Sequence, residues 1–229
     1  MAVGTPVQRY GAASLAGQTT ESVISPATTV AAGTLAVLLV ASGQSKTAAS
    51  VTDSLGNTWT VHVAGTGGTG ANALSIASAQ IATQITSSDT VTVTWSGATS
   101  SAAELWIYEV SSAATSSAFD TSAIANTAVV AADSGNTATL AQADEVVFGI
   151  SKITASGRTF TPEGSYSVSA NPTRGATTSV AFKVVAATTA VSFTGTWSST
   201  DAATVTAVAT FKGLPASLRK QNLALMGVG

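Results

Sequence analysis

The chain has 229 residues, 9% of them charged and 45% hydrophobic, with 9 basic against 11 acidic side chains and a pI near 5.2. That length can bury a core unaided, and the absence of cysteine excludes disulfides and thiolate metal sites. The acidic balance argues against a nucleic-acid partner, and the longest apolar run, Leu35 to Ala41, is far short of the roughly 20 residues a membrane-spanning helix needs.

The apolar content is carried mainly by Ala and Val, interleaved with Ser, Thr and Gly, and helix-forming Glu, Lys, Arg and Gln are scarce. Such a composition fits pleated, half-buried surfaces. After an N-terminal segment, 1–17, a first strand is expected over Thr19 to Ser25. The strongest candidate follows at Thr34 to Ala41, apolar on both faces and therefore central. Ala49 to Thr52, the turn Asp53-Ser54-Leu55-Gly56-Asn57 and Thr58 to Val63 read as a hairpin with one buried face. Gly65 to Gly70 is a glycine-rich loop. Ala71 to Ile81 is ambiguous between helix and strand and is assigned to strand. Thr90 to Trp95 and Ala103 to Val110 alternate cleanly.

Ser111 to Ser134, poor in charge and rich in Ala, Ser and Thr, reads as a long connection with at most a short strand. The second half offers strands at Thr137 to Leu140, Glu145 to Ile153, Thr177 to Ala186, Ala190 to Trp197 and Ala203 to Lys212. Many short strands without a sustained helical period predict an all-β fold, an antiparallel β-sandwich or jelly roll over 18–212, with a short C-terminal arm over 213–229. The echo of Asp53-Ser54-Leu55-Gly56-Asn57-Thr58 in Asp133-Ser134-Gly135-Asn136-Thr137 is too short for a repeat and reads as reused turn chemistry.

Candidate chemistry is thin. The single histidine, His62, has no Gly-x-Ser-x-Gly elbow or second ligand beside it and is expected at the surface. Gly65-Thr66-Gly67-Gly68-Thr69-Gly70 matches a dinucleotide fingerprint in letters, but that site needs a helix N-terminus and a parallel sheet. The carboxylate pairs Glu104 with Glu109 and Asp144 with Glu145 could support glycosidase chemistry, yet strand alternation sends the members of each pair to opposite faces. Asp53 and Asn57 could hold calcium but fit an Asx turn better. Trp59, Trp95, Trp106 and Trp197 could line a carbohydrate platform but lie in strand patterns suited to core packing. No catalytic residue, cofactor or metal ligand is nominated.

The segments Val51 to Trp59, Thr90 to Gly97, Ile107 to Ser111, Phe119-Asp120, Ala143 to Val147 and Ala209 to Lys212 together resemble, over about 19–212, a β-sandwich domain of phage and bacterial surface proteins. Proteins of this kind are commonly minor tail or capsid decoration proteins of phages infecting actinobacteria, and related modules occur inside long secreted bacterial chains. A Met start and an extra arm around one domain favour the phage side. The resemblance implies a non-enzymatic structural protein of a bacteriophage virion, assembled in the host bacterial cytoplasm. Its expected partners are other virion proteins and further copies of itself, without nucleic acid or membrane. The alternative is a carbohydrate-binding or host-adhesion module with a host-surface glycan as partner. The arm supplies the candidate partner-binding residues Leu214, Leu218, Arg219, Lys220, Leu223, Leu225 and Met226, apolar side chains with two cations and no place in the expected core.

Overall fold

The computed structural model describes residues 3–15, 20–67, 72–97, 103–127, 130–168, 177–199 and 204–215, with side chains placed at all of these except 12–15 and 127. Sixteen strands form four antiparallel sheets, and no helix occurs among the described residues. The first eight are β1 (Val7–Leu15), β2 (Glu21–Ile24), β3 (Leu35–Gly43), β4 (Ala48–Asp53), β5 (Trp59–Thr66), β6 (Asn72–Gln80), β7 (Val91–Trp95) and β8 (Ala103–Val110). The second eight are β9 (Phe119–Thr127), β10 (Ala131–Asp133), β11 (Glu145–Lys152), β12 (Phe160–Pro162), β13 (Ser167–Val168), β14 (Thr178–Val185), β15 (Thr194–Trp197) and β16 (Thr204–Lys212).

The two halves have one topology. The first forms a five-stranded sheet, β1-β8-β3-β6-β5, and a three-stranded sheet, β2-β7-β4. The second forms β9-β16-β11-β14-β13 and β10-β15-β12. Each is an eight-stranded jelly roll whose chain alternates between two sheets. Matching hydrogen bonds support the equivalence. The Ser96 amide donates to Thr47 O and the Ser198 amide to Thr159 O, both at 2.9 Å. In return, the Thr47 amide donates to Ser96 Oγ and the Thr159 amide to Ser198 Oγ, both at 3.2 Å. Around them the sequence reads Thr-Val-Thr-Trp-Ser at 92–96 and Thr-Gly-Thr-Trp-Ser at 194–198. The region 18–212, read from sequence as one sandwich, therefore holds most of two. The sequence conceals this because loops differ in length between the copies, so no constant period survives.

The sheets stack in four layers. One face of β3 (Leu35, Val37, Leu39, Ala41) and of β8 (Trp106, Tyr108, Val110) meets Val146, Phe148 and Ile150 of β11 and Val205, Ala207, Ala209 and Phe211 of β16 in the largest core. The opposite face of the first large sheet (Ala36, Leu38, Val40, Ala77, Leu105, Ile107) packs on Val91, Val93 and Trp95 of the first small sheet. Val147, Ala181 and Val208 of the second large sheet pack on Phe193, beside a smaller cluster of Ala132, Ile153 and Trp197. The central strands β3, β8 and β11 are covered on both faces, which accounts for their burial along nearly their whole length. Past the ends of the two units, equivalent segments meet: Ala113 after β8 bridges Gly213 after β16 in antiparallel fashion.

Several sequence expectations change. Residues 1–17 contain β1, an edge strand on β8 that runs with a register shift between Gln8 and Tyr10. The stretch 111–134 contains β9, nine residues long, because β16 needs an outer partner and Phe119 and Ile124 supply apolar contacts. Thr137 to Leu140 forms no strand, although the Thr137 and Leu140 amides donate to Val191 O and Thr188 O. The expected hairpin at 49–63 is a crossover: β4 lies in the small sheet and β5 in the large one. A bulge between Val61 and Val63 turns Val63 towards the central core while Trp59 and Val61 pack on the outer one.

Candidate functional site

The residues with chemical potential are mostly engaged in contacts inside the fold, some of them between the two jelly rolls. Glu104 on β8 and Lys152 on β11 project into the central layer from opposite halves and pair at 3.9 Å, both side chains 7% exposed. Thr177 Oγ1 donates to Glu104 Oε1 at 3.0 Å, and Lys152 Nζ donates to Thr177 and Thr178 hydroxyls at 3.3 and 3.4 Å. Burial lowers the Lys152 pKa, and the Glu104 charge offsets part of that. Glu109 lies on the other face of β8, as alternation predicts, where its Oε2 accepts from Arg9 Nε and the Ala31 amide, both at 3.0 Å. Glu104 and Glu109 therefore form two separate structural contacts.

Asp144 and Glu145 also part. Asp144 sits at φ 71° and accepts the Val3 amide at 3.0 Å. Glu145 is fully buried with both carboxylate oxygens lacking a hydrogen-bond partner. Burial pushes its pKa up to about 7, the neighbouring Thr210 hydroxyl offsets part of this, and the Asp120 carboxylate adds to it. Asp120 in turn accepts the Ala141 amide at 2.7 Å and lies 4.0 Å from Lys212 Nζ.

His62 is half-buried rather than on an open surface, because the bulge in β5 aims it at the second half. Its ring stacks on Phe119 of β9, with centroids 4.0 Å apart at 6°, and its Nε2 lies 2.8 Å from Ser78 Oγ beside a cavity of about 160 Å³. Burial lowers its pKa to about 4, which makes it a weak base. Among the described residues no carboxylate orients the ring, so the Ser78–His62 contact has two of the three parts of a nucleophilic triad.

Asp53 is saturated by the chain itself: Oδ1 accepts the Leu55 and Asn57 amides at 2.9 and 3.1 Å, and Oδ2 accepts Trp59 Nε1 at 2.7 Å. Asn57 Oδ1 accepts the Ala82 and Thr83 amides, both at 2.9 Å. This is the Asx turn expected from the residues. Gly65 lies where a Cβ would come within 2.6 Å of Ile124, a close approach of β5 and β9. Residues 68–70 of the glycine run fall outside the described residues. Trp95, Trp106 and Trp197 are buried and Trp59 is half-buried against the first outer core, so the four indoles form no exposed platform. Of the arm residues only Leu214 is described. It is half-buried and its amide donates to Ser112 O at 2.8 Å. Leu218, Arg219, Lys220, Leu223, Leu225 and Met226 lie outside the described residues.

One further cleft has no counterpart among the sequence-derived candidates. A cleft of about 460 Å³ in the second jelly roll is lined by Asn136, Glu163, Tyr166, Lys183, Ser192 and Thr194, with Gly164 and the 185–191 segment completing it. Tyr166 Oη donates to Ser192 O at 2.8 Å, the ring meets Phe193 edge-on at 4.9 Å, and Lys183 Nζ stands 4.1 Å above its centroid. Burial lowers the Lys183 pKa and raises that of Tyr166. Lys183 lies between Ala181 and Val185 on the side of β14 that faces the outer core. A lysine at an inward alternation position was the available sequence signal.

No protein-family model, no curated protein and no solved structure matches the chain.

Proposed function

We propose that the protein is a non-enzymatic structural component of a bacteriophage virion, a capsid decoration or minor tail protein that acts by packing against neighbouring subunits. The observation that carries this reading is the four-layer stack. Two jelly rolls share one apolar core, and the ionisable groups of Glu104, Glu109, Lys152 and Asp53 serve as internal fastenings. A block of this kind resists deformation because the central strands of its largest sheets are buried on both faces. With 9% charged residues, its outer faces depend on hydroxyls and small side chains, which suit close packing more than long-range steering. The C-terminal residues Leu218, Leu223, Leu225 and Met226 supply apolar contacts to a partner in this reading, flanked by Arg219 and Lys220.

The decisive experiment is to purify particles of a phage that encodes the chain and measure its copy number by quantitative mass spectrometry. Many copies per particle, reduced to background by deletion of 218–229 while the soluble protein keeps its thermal stability, is the expected result. Absence of the intact chain from particles would remove the proposal.

A further inference from the structure

We propose that the cleft around Tyr166 and Lys183 binds a carboxylate-bearing sugar, a property independent of any role in a particle. The two halves can be compared position by position. In the first, Ala79 on β6 pairs with Ala36 of β3 and with Trp59 of β5, and the indole closes that end of the outer core. In the second, Lys183 on β14 pairs with Val147 of β11, and Tyr166, next to Ser167 whose partner is Phe182, stands where Trp59 does. A small apolar residue under a large closing ring has become a cation over a ring. The covering strand is also reduced: β12 has three residues where β4 has six. The second copy has a cleft at this place.

The lining specifies a ligand class. Lys183 has no carboxylate within ion-pair distance among the described residues, so a partly desolvated ammonium faces the cleft without a counter-ion. An ammonium in that position is stabilised by an anion that enters with the ligand. Glu163 also lines the cleft and opposes each added negative charge, which disfavours a phosphate dianion more than a single carboxylate. The Asn136 amide, the Thr189 and Thr194 hydroxyls and the Ser192 backbone offer several donors and acceptors around an aromatic wall. That is the mixture a ring carrying several hydroxyls needs. The volume of about 460 Å³ lies within the roughly 300–1,000 Å³ of small-ligand sites.

The test titrates the full chain with glucuronate, glucose, acetate and inorganic phosphate, following backbone amides by NMR. Glucuronate should shift amides around 163–166, 183 and 189–194, about tenfold or more tightly than glucose, and acetate should be weaker than glucuronate. Lys183→Gln should weaken glucuronate about tenfold or more, whereas Lys46→Gln should leave it unchanged. Ala187→Trp, a substitution on the exposed rim, should block the cleft while circular dichroism stays unchanged. The proposal is overturned by glucose binding as tightly as glucuronate, by acetate or phosphate matching glucuronate, by unaltered affinity in the Lys183→Gln or Ala187→Trp protein, or by no shifts at all.

Discussion

The two jelly rolls share a strand order but fill their outer cores differently. In the first, Leu38 of β3 and Val91 of the small sheet belong to the same outer core. In the second, the matching position on β11 is Gly149, where a Cβ would come within 2.2 Å of the Phe193 ring, and Phe193 occupies the place of Val91. A large side chain has moved from one sheet to the other with core volume roughly kept, the kind of exchange a packed interior tolerates. The central layer shows no such division of labour, because it belongs to both copies and every change there acts on both. Lys183 and Glu145 both lie on the outer side of the second copy, facing the smaller sheet.

If the shared layer makes one cooperative unit, Phe148→Ala should destabilise the whole chain by about 3–5 kcal/mol, with both halves unfolding in a single transition. Two calorimetric transitions, one unshifted by the substitution, would show instead that each jelly roll stands alone.

The second copy should also carry a pH response from its buried Glu145. Glu145 titrates near 7 in the fold against an ordinary value of 4.5, so the folded state binds its proton more tightly than the unfolded state. This contribution to stability is fully present below about 4.5 and is lost as pH rises through about 7, an effect of roughly 1–3 kcal/mol. Glu145→Gln should flatten that part of the pH–stability curve, and a wild-type curve already flat between those values would contradict the assignment.

Asp53 fastens the crossover between sheets in the first copy through three donors, including Trp59. Asp53→Ala should lower stability by about 1–3 kcal/mol, since it leaves partly buried donors without an acceptor. Hydrogen exchange should accelerate at 55–59 more than in the second copy, and a uniform acceleration would argue against a local role.

The smallest effect concerns the junction between the copies. His62 is held neutral down to about 4 against an ordinary 6.5, so the unfolded chain takes up its proton first as pH falls. Its contribution is present above about 6.5 and is lost as pH falls towards 4, with a sign opposite to that of Glu145. Solvent contact of the half-buried ring limits this to about 1 kcal/mol or less. His62→Phe should remove the acid-side slope while keeping the stack on Phe119, and persistence of that slope in the variant would place its origin elsewhere.

Local pattern alone determined the class of this protein. Val and Thr alternation in β7, the continuous apolar run of β3 and the turn residues Asp53 to Asn57 each have one low-energy reading, and together they leave an antiparallel all-β fold. The same alternation sends Glu104 and Glu109 to opposite faces. Tertiary structure decided the rest. β1 and β9 carry weak strand patterns and exist because β8 and β16 need edge partners. The duplication is written in hydrogen-bond order, where Ser96 answers Ser198, and not in a period of letters. The partners of Lys152 and His62 and the neighbours of Glu145 come from distant strands, and Lys183 lines a cleft completed by Asn136, Glu163 and Thr194 from other parts of the chain. Periodicity specifies which face a side chain takes, whereas the layer that covers that face is set by contacts far apart in sequence, and on those contacts the site depends.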